Sequence, residues 1–314
     1  YSGACGFVEI GFNSEPFLPD MTMQHLNVYD ALMTASGKDF KVRVLAHNQL
    51  DIMAIEIDDS RDNPADIDID LKMIRPNKVQ TGKHLAVSEL HREDRALILN
   101  QEFTEPSEST VMKGDHYCAS SVAVRVIGRE SKVIDLNYST SRIKVKGSSG
   151  KFTILIGSSA DLSRETDINR KVMQDLDAAE QIGFEGLLES NTEWWHEFWE
   201  KSHIWTPDNP EFTRLWVYYL YLSNSTMRGK YPAQFNGQIW STMGDVRRWG
   251  ARYWWWNQGC MHSSFDAANH MELNDPLFNM RTNAYPAYEK AARQDWNSKG
   301  IFIPETGTFA STVP

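Results

Sequence analysis

The sequence predicts a multidomain β + α protein, in which an antiparallel β-sandwich precedes a group of helices. Three observations carry this prediction. Up to about residue 160, apolar and polar residues alternate with the period of a half-buried strand. Beyond about residue 161, apolar residues recur at helical spacing. All 11 tryptophans lie between Trp194 and Trp296, so the two parts also differ in composition.

The N-terminal part contains several short segments with strand periodicity. The clearest of them are Asp39–Leu45, Asp66–Met73, Ser121–Ile127 and Lys151–Ile156. Clusters of Gly, Pro, Asn and Ser separate these segments and are typical of turns. Many short strands at such spacing favour an antiparallel sandwich. We therefore expect residues 1–160 to form an N-terminal β-sandwich domain.

Helices are predicted to follow the strands directly. Arg164–Ile182 carries mostly helix-tolerant residues, Gly183 interrupts the pattern, and Leu187–Lys201 resumes it. A further helix is expected over Glu211–Ser225, where apolar residues recur along one face. Residues 161–205 are thus predicted to be a helical linker to a third region, residues 206–314.

The third region is predicted to alternate helices with a long loop. Helices are expected at Met261–Glu272, Pro276–Tyr285 and Pro286–Ser298. Pro286 would occupy the first turn of the last helix, where proline is well tolerated. Residues 229–252 are rich in glycine and aromatic residues, which is typical of a functional loop.

Composition excludes several classes of function. The formal net charge of −10 disfavours nucleic acid as a partner. The longest apolar run, Leu215–Leu222, is far shorter than the ~18–20 residues that a membrane span needs. Cys5, Cys118 and Cys260 are isolated and lack the spacing of a zinc site. Nucleotide-binding glycine motifs are absent from the sequence, and we predict no cofactor and no metal.

The most unusual composition lies in two segments, Gln234–Trp240 and Asp245–Gln258, which interleave flat aromatic rings with amide, carboxylate and guanidinium groups. This mixture suits a sugar, whose C–H faces lie on aromatic rings while polar side chains hold its hydroxyls. Many of these rings could instead belong to an ordinary core. Three successive tryptophans, however, cannot all face one core.

The candidate site residues come from these segments and from one later loop. Predicted sugar-binding residues are Gln238, Trp240, Trp254 and Trp256. Asn257 or Gln258 is predicted to orient water or a hydroxyl in catalysis. Glu305, in a tight loop before Gly307, is predicted to bind hydroxyls or to act as an acid. The alternative for Glu305 is a surface or capping role.

A second polar pattern lies further along the chain. His262, Asp266 and His270 would share one face of a helix if that helix were continuous. Such a face could hold a metal, but the spacing is not a zinc signature. A hydrogen-bonded polar interface is therefore the favoured interpretation. Arg247 and Arg248 could form an anion site or a surface ion pair.

Three short motifs, read in order, resemble a known enzyme family. They are Gln238-Ile-Trp240, Trp249-Gly-Ala-Arg-Tyr253 and Asn274-Asp-Pro-Leu-Phe278. They are similar to motifs of glycoside hydrolase family 95, whose founding activity is α-L-fucosidase. The resemblance implies an N-terminal super-sandwich, a helical linker and an (α/α)6 toroid, of which residues 206–314 would form the first part.

The same resemblance implies an activity. The enzyme would hydrolyse an α-linked sugar, fucose or a related one, of an oligosaccharide or polysaccharide with inversion. The family's general acid and base lie in later helices, so we expect that pair beyond Pro314. An Asn-x-Asn pair that holds the attacking water in the fucosidases corresponds to Trp256 and Gln258, with Asn257 between them.

The resemblance also implies an extracytoplasmic (periplasmic or secreted) bacterial protein. Two alternatives remain open at this stage. One is a non-catalytic glycan-binding protein on a hydrolase scaffold. The other is a glycoside phosphorylase, for which Arg247 and Arg248 would be phosphate ligands. The sequence does not give the oligomeric state.

Overall fold

The computed structural model describes residues 5–106, 116–234 and 253–307. The chain divides into two compact units, one of residues 4–196 and one consisting mainly of residues 197–314. None of the described helices is both long and apolar enough to cross a membrane.

The first unit is built from antiparallel strands. Its described strands are β1 (Gly6–Phe12), β2 (Met23–Asn27), β3 (Leu32–Gly37), β4 (Phe40–Ala46), β5 (Ile52–Asp59), β6 (Ile67–Met73), β7 (Lys78–Thr81), β8 (His84–Glu93), β9 (Ala96–Glu105), β10 (His116–Ile127), β11 (Ser131–Asn137), β12 (Thr140–Val145) and β13 (Gly150–Asp161). They form one sheet in the order β1-β6-β12-β11 and another in the order β2-β3-β4-β5-β13-β10-β9-β8-β7. Neighbouring strands are antiparallel in both sheets. The predicted antiparallel β domain is therefore confirmed.

The two sheets share one apolar core, to which alternate residues contribute. In β6, for example, Ile67, Ile69 and Leu71 are buried in this core. Asp68 and Asp70 between them instead bind Arg142 of the neighbouring strand β12. The period-2 pattern therefore separates the core face of the strand from a charged face, as the sequence predicted.

A second apolar core lies on the other face of the larger sheet, beneath helix α1 (Ile168–Glu200). The helix contributes Val172, Leu176 and Leu187 to this core. Gly183 has φ 74° and ψ 164°, so α1 consists of two helical segments joined by a kink. This conformation is essentially restricted to glycine, which explains the predicted interruption at Gly183.

The second unit contains short elements. They are α2 (Pro210–Thr226), β14 (Tyr253–Trp254), α3 (Trp255–His262), α4 (Asp275–Asn283), α5 (Tyr285–Trp296) and β15 (Thr306–Gly307). The helices predicted at residues 211–225, 276–285 and 286–298 match α2, α4 and α5 closely. Pro286 lies in the first turn of α5, as predicted.

The predicted helix over residues 261–272 is wrong. Helix α3 begins earlier, at Trp255, and ends at His262. Asn269 takes a left-handed conformation with φ 57°, and the His270 amide donates back to the Phe265 carbonyl. Asparagine tolerates this conformation, so the local turn replaces the helix that the apolar spacing predicted. A short 3-10 turn, Met271–Asn274, then leads into α4.

Candidate functional site

A short antiparallel strand pair joins two distant parts of the sequence. In this pair Tyr253 lies opposite Gly307, and Trp254 lies opposite Thr306. At its end the Trp255 amide donates a hydrogen bond of 2.8 Å to the Glu305 carbonyl. The pairing thus places the backbone of Glu305 beside the tryptophan triplet. We call Trp254, Trp255, Trp256, Asn257 and Glu305 the aromatic edge.

Two indole rings of the aromatic edge face solvent. Trp255 is 52% exposed and Trp256 is 72% exposed. Trp254 and Asn257 are half-buried, and Glu305 is exposed. Burial of an indole ring is strongly favourable, so adjacent exposed rings beside polar groups are typical of a binding surface. Sequence reasoning did not select Trp255, although the argument about three successive tryptophans covers it.

Gln258 is separated from this exposed surface. Its side chain is fully buried, and its Nε2 donates to the Ala233 carbonyl at 3.1 Å. Its Oε1 is buried and has no hydrogen-bond partner in the described structure. The amide of Asn257, by contrast, belongs to a half-buried residue of the aromatic edge.

The underside of the strand pair rests on helix α4. Tyr253 packs against Leu277 and Met280 in a small apolar cluster. Arg281 follows on the same helix, and its Nη1 donates a hydrogen bond of 3.0 Å to the hydroxyl of Tyr288. Sequence reasoning missed Arg281, although its spacing of four residues from Leu277 predicts the same helix face.

Gly307 lies against this guanidinium. A Cβ atom at Gly307 would lie 3.2 Å from Nη1 of Arg281, which is tighter than ordinary van der Waals contact. The Nε and Nη2 atoms of Arg281 are buried and have no hydrogen-bond partner among residues 5–106, 116–234 and 253–307. A cationic side chain therefore lies directly beneath the strand pair that builds the aromatic edge.

His262 belongs to a hydrogen-bonded network at the end of α3. The Nδ1 atom of His262 lies 3.0 Å from Oδ1 of Asn274, whose Nδ2 donates to Asp266 at 3.0 Å. Because the Asn274 oxygen can only accept, His262 donates from Nδ1. Burial lowers the pKa of His262, so the neutral ring is favoured.

His270 occupies a second network. Its ring is fully buried and stacks on Phe198, with ring centroids 4.0 Å apart. Its Nδ1 lies 3.2 Å from Glu272, which also accepts a hydrogen bond of 2.6 Å from Lys201. Burial lowers the pKa of His270, although the Glu272 carboxylate opposes this. For Glu272 itself, burial would raise the pKa, but hydrogen bonding by Lys201 leaves it lowered.

The two histidines do not share a helix face with Asp266, because α3 ends at His262. The expectation of one continuous face is thus wrong. In the described part of the chain no three His, Cys, Asp or Glu side chains group as metal ligands would. Of the other predicted residues, Gln238, Trp240, Arg247 and Arg248 lie outside the described residues.

Comparisons with known proteins identify the fold. No protein-family model matches the chain, and no curated protein does. A solved structure described as a kojibiose phosphorylase from human microbiome aligns with 95% of this chain at 14% identity and a TM-score of 0.60. A bacterial glucoamylase complexed with acarbose aligns with 98% of the chain at 9% identity and a TM-score of 0.43.

A family GH92 alpha-mannosidase from Bacteroides thetaiotaomicron, in complex with mannoimidazole, aligns with 70% of the chain at 11% identity and a TM-score of 0.39. The chain covers 41%, 44% and 30% of these three structures, respectively. The TM-score of 0.60 shows that the chain shares the fold of the first. The chain spans less than half the length of that protein.

Proposed function

We propose that the chain is part of an enzyme that cleaves glycosidic bonds in an oligosaccharide or polysaccharide, and that the aromatic edge contacts the sugar. One observation carries the proposal. The strand pair of β14 and β15 places the backbone of Glu305 beside that of Trp255, and the indole rings of Trp255 and Trp256 face solvent there. The shared fold with a protein described as a phosphorylase supports the same class of substrate.

The aromatic edge offers the two kinds of contact that a pyranose needs. The exposed rings of Trp255 and Trp256 provide flat apolar faces for the C–H groups of a sugar. The amide of Asn257 and the carboxylate of Glu305 offer a donor and acceptors for hydroxyls. Because Gln258 is buried and bound to Ala233, we assign it a role in positioning α3.

In its finer form the proposal is inverting hydrolysis of an α-linked sugar, fucose or a related one, by an extracytoplasmic bacterial enzyme of the family 95 type. Inversion needs two carboxyl groups roughly 6.5–9.5 Å apart, with water between them. Glu305 would then bind hydroxyls, and the general acid and base would come from outside residues 206–314.

Two other activities are favoured by particular observations. Phosphorolysis is favoured because the protein that shares the fold is described as a phosphorylase. Glycan binding without catalysis is favoured by Gln258, whose buried amide is unavailable to hold an attacking water. The three activities yield different products: a free sugar, a sugar phosphate, or no cleavage.

The proposal is tested by Trp256→Ala, with Trp205→Ala as the matched control. Trp205 is 76% exposed and lies outside the aromatic edge. Affinity is measured by calorimetry against a panel of neutral plant, algal and host oligosaccharides, and products are analysed with and without phosphate. We expect Trp256→Ala to weaken binding by about 5-fold or more, since ring contacts are worth ~1 kcal/mol or more.

Trp205→Ala should leave that affinity unchanged. The proposal fails if no oligosaccharide of the panel binds or is cleaved, or if the two variants bind as well as the parent protein. Release of a sugar phosphate only when phosphate is present would identify phosphorolysis. Binding without cleavage by the complete enzyme of which we propose this chain is a part would identify the non-catalytic alternative.

A further inference from the structure

Arg281 carries a charge that the described structure leaves without a counterion. Its Nη1 is bound to the hydroxyl of Tyr288, which is a neutral acceptor. Its Nε and Nη2 are buried and unpartnered among the described residues. The guanidinium group stays protonated in proteins, and burial of an unpaired charge is unfavourable. An acceptor at Nε and Nη2 would therefore stabilise this side chain.

The unpartnered atoms form the edge that binds carboxylates elsewhere in the same chain. Arg142 donates from Nε and Nη2 to the two oxygens of Asp70 at 2.6 and 2.9 Å. Arg61 donates from the same two atoms to Asp59 at 2.8 and 2.7 Å. Such paired donation matches the geometry of a carboxylate or a phosphate. In Arg281 the corresponding edge is the one without a partner.

The position of Arg281 relates its side chain to the proposed sugar surface. The guanidinium approaches Gly307 through Nη1, the nitrogen that also binds Tyr288, and Glu305 lies only two residues before that glycine. Glu305 does not bind the open edge, because Nε and Nη2 of Arg281 have no hydrogen-bond partner in the described structure. Tyr288 holds the opposite side of the guanidinium and thereby fixes the direction in which the open edge points.

We propose that Arg281 anchors an oxyanion of the bound ligand beneath the strand pair that builds the aromatic edge. The oxyanion is either the carboxylate of an acidic sugar or a phosphate, since both accept two parallel N–H donors. The proposal deepens the proposed function, because it makes the substrate or co-substrate of the same surface anionic. Arg281 would be a binding residue in this role, and Tyr288 would orient it.

The test measures binding of three probes by calorimetry: inorganic phosphate, D-galacturonate and neutral D-galactose. We expect the parent protein to bind one of the two anions and Arg281→Gln to weaken that binding by about 10-fold or more. Arg281→Lys, which keeps the charge but loses the paired donors, should recover only part of it. Arg293→Gln is the matched control, because Arg293 is exposed and paired with Glu289.

Gly307→Ala provides a second variant that keeps the charge. Its methyl group would lie 3.2 Å from Nη1 and would displace the guanidinium, so we expect about 3-fold weaker anion binding or more. If Arg281→Gln does not fold, Arg281→Lys and Gly307→Ala decide the question. Binding of phosphate alone identifies a phosphate site, and binding of galacturonate alone identifies an acidic sugar.

The inference is overturned if neither anion binds, or if the variants bind the anion as well as the parent protein does. Its failure is distinct from failure of the proposed function. Neutral oligosaccharides that bind or are cleaved without any anion effect would leave the proposed function standing and remove the role of Arg281. Anion binding that depends on Arg281, without binding or cleavage of the neutral oligosaccharides, would support the role of Arg281 and contradict the proposed function.

Discussion

The two units of the chain treat their aromatic and charged residues differently. In the strand unit, the apolar faces of the two sheets close on a shared core, and Arg142 and Arg61 are matched by carboxylates. In the helical unit, many large aromatic side chains remain exposed, and Arg281 lacks a counterion in the described structure. Among the described residues, the exposed aromatic side chains of the helical unit are Trp205, Phe212, Tyr218, Trp255, Trp256, Phe278, Tyr285 and Trp296, and those of the strand unit are Phe7, Tyr29 and Tyr138.

This difference indicates that the residues that stabilise the fold and the residues that could bind a ligand lie in different units. Buried, matched side chains lower the free energy of the folded state. Exposed rings contribute little to that stability, and a buried cation without a counterion opposes it, but both are available to a ligand. The candidate site therefore belongs to the helical unit. Substitutions in each unit test this distinction.

The largest expected effect is a core substitution in the strand unit. Leu71 has no exposed surface and lies between the two sheets. Leu71→Ala should lower the free energy of unfolding by about 2–5 kcal/mol. Leu215→Ala in the helical unit is the matched control, because Leu215 is 63% exposed, and it should change that energy by less than about 0.5 kcal/mol. Urea denaturation followed by circular dichroism measures both, and equal losses would contradict the distinction.

The kink in α1 should show the next largest effect. Gly183→Ala forces a side chain into a conformation with φ 74°, and we expect a loss of about 1–3 kcal/mol. Gln174→Ala, on an exposed turn of the same helix, should stay within about 0.5 kcal/mol of the parent protein. The same denaturation experiment measures both variants. A loss no greater for Gly183→Ala than for Gln174→Ala would contradict the assigned kink.

The buried histidines predict that the helical unit loses stability in acid. Their pKa values are lowered from 6.5 by burial, so the folded state favours the neutral rings. Their stabilisation is complete above pH 6.5 and is lost as the pH falls from 6.5 through the folded-state pKa. For each group, a folded-state pKa lowered by one unit reduces the free energy of unfolding in acid by about 1.4 kcal/mol.

Tryptophan fluorescence can follow this loss, because every tryptophan of the chain except Trp194 and Trp195 lies in the helical unit. We expect the midpoint temperature of thermal unfolding to decrease when the pH is lowered from 7 to 5. This decrease should be smaller in His270→Gln than in the parent protein. His84→Gln is the control, since His84 is exposed in the strand unit. An identical pH dependence in His270→Gln and the parent protein would contradict the role of burial.

The strand unit could be predicted well from the sequence, because alternation is a local signal. The alternating segment Asp66–Met73 defines its own core face, and strand β6 covers nearly the same residues. The break at Gly183 is equally local. The helix predicted over residues 261–272 failed because apolar spacing does not report a left-handed Asn269.

The candidate site depends on a longer-range relation. Glu305 was selected by its chemistry, whereas Trp255 was only one of three successive tryptophans, and the pairing of the two joins residues some 50 positions apart. No local pattern encodes that contact, since short strands of two residues have almost no periodicity. Arg281 was missed for a similar reason: its importance follows from the lack of an acceptor at Nε and Nη2 among the described residues, which only the fold reveals.

The central claim is that Trp255 and Glu305 act together in one sugar-binding surface. A double-mutant cycle with Trp255→Ala and Glu305→Gln tests it, with affinity for the best-binding oligosaccharide as the readout. We expect each single variant to weaken binding and the pair to be non-additive by about 0.5 kcal/mol or more, because the two residues are neighbours. Unchanged affinity in both single variants would contradict the claim, and so would strictly additive losses.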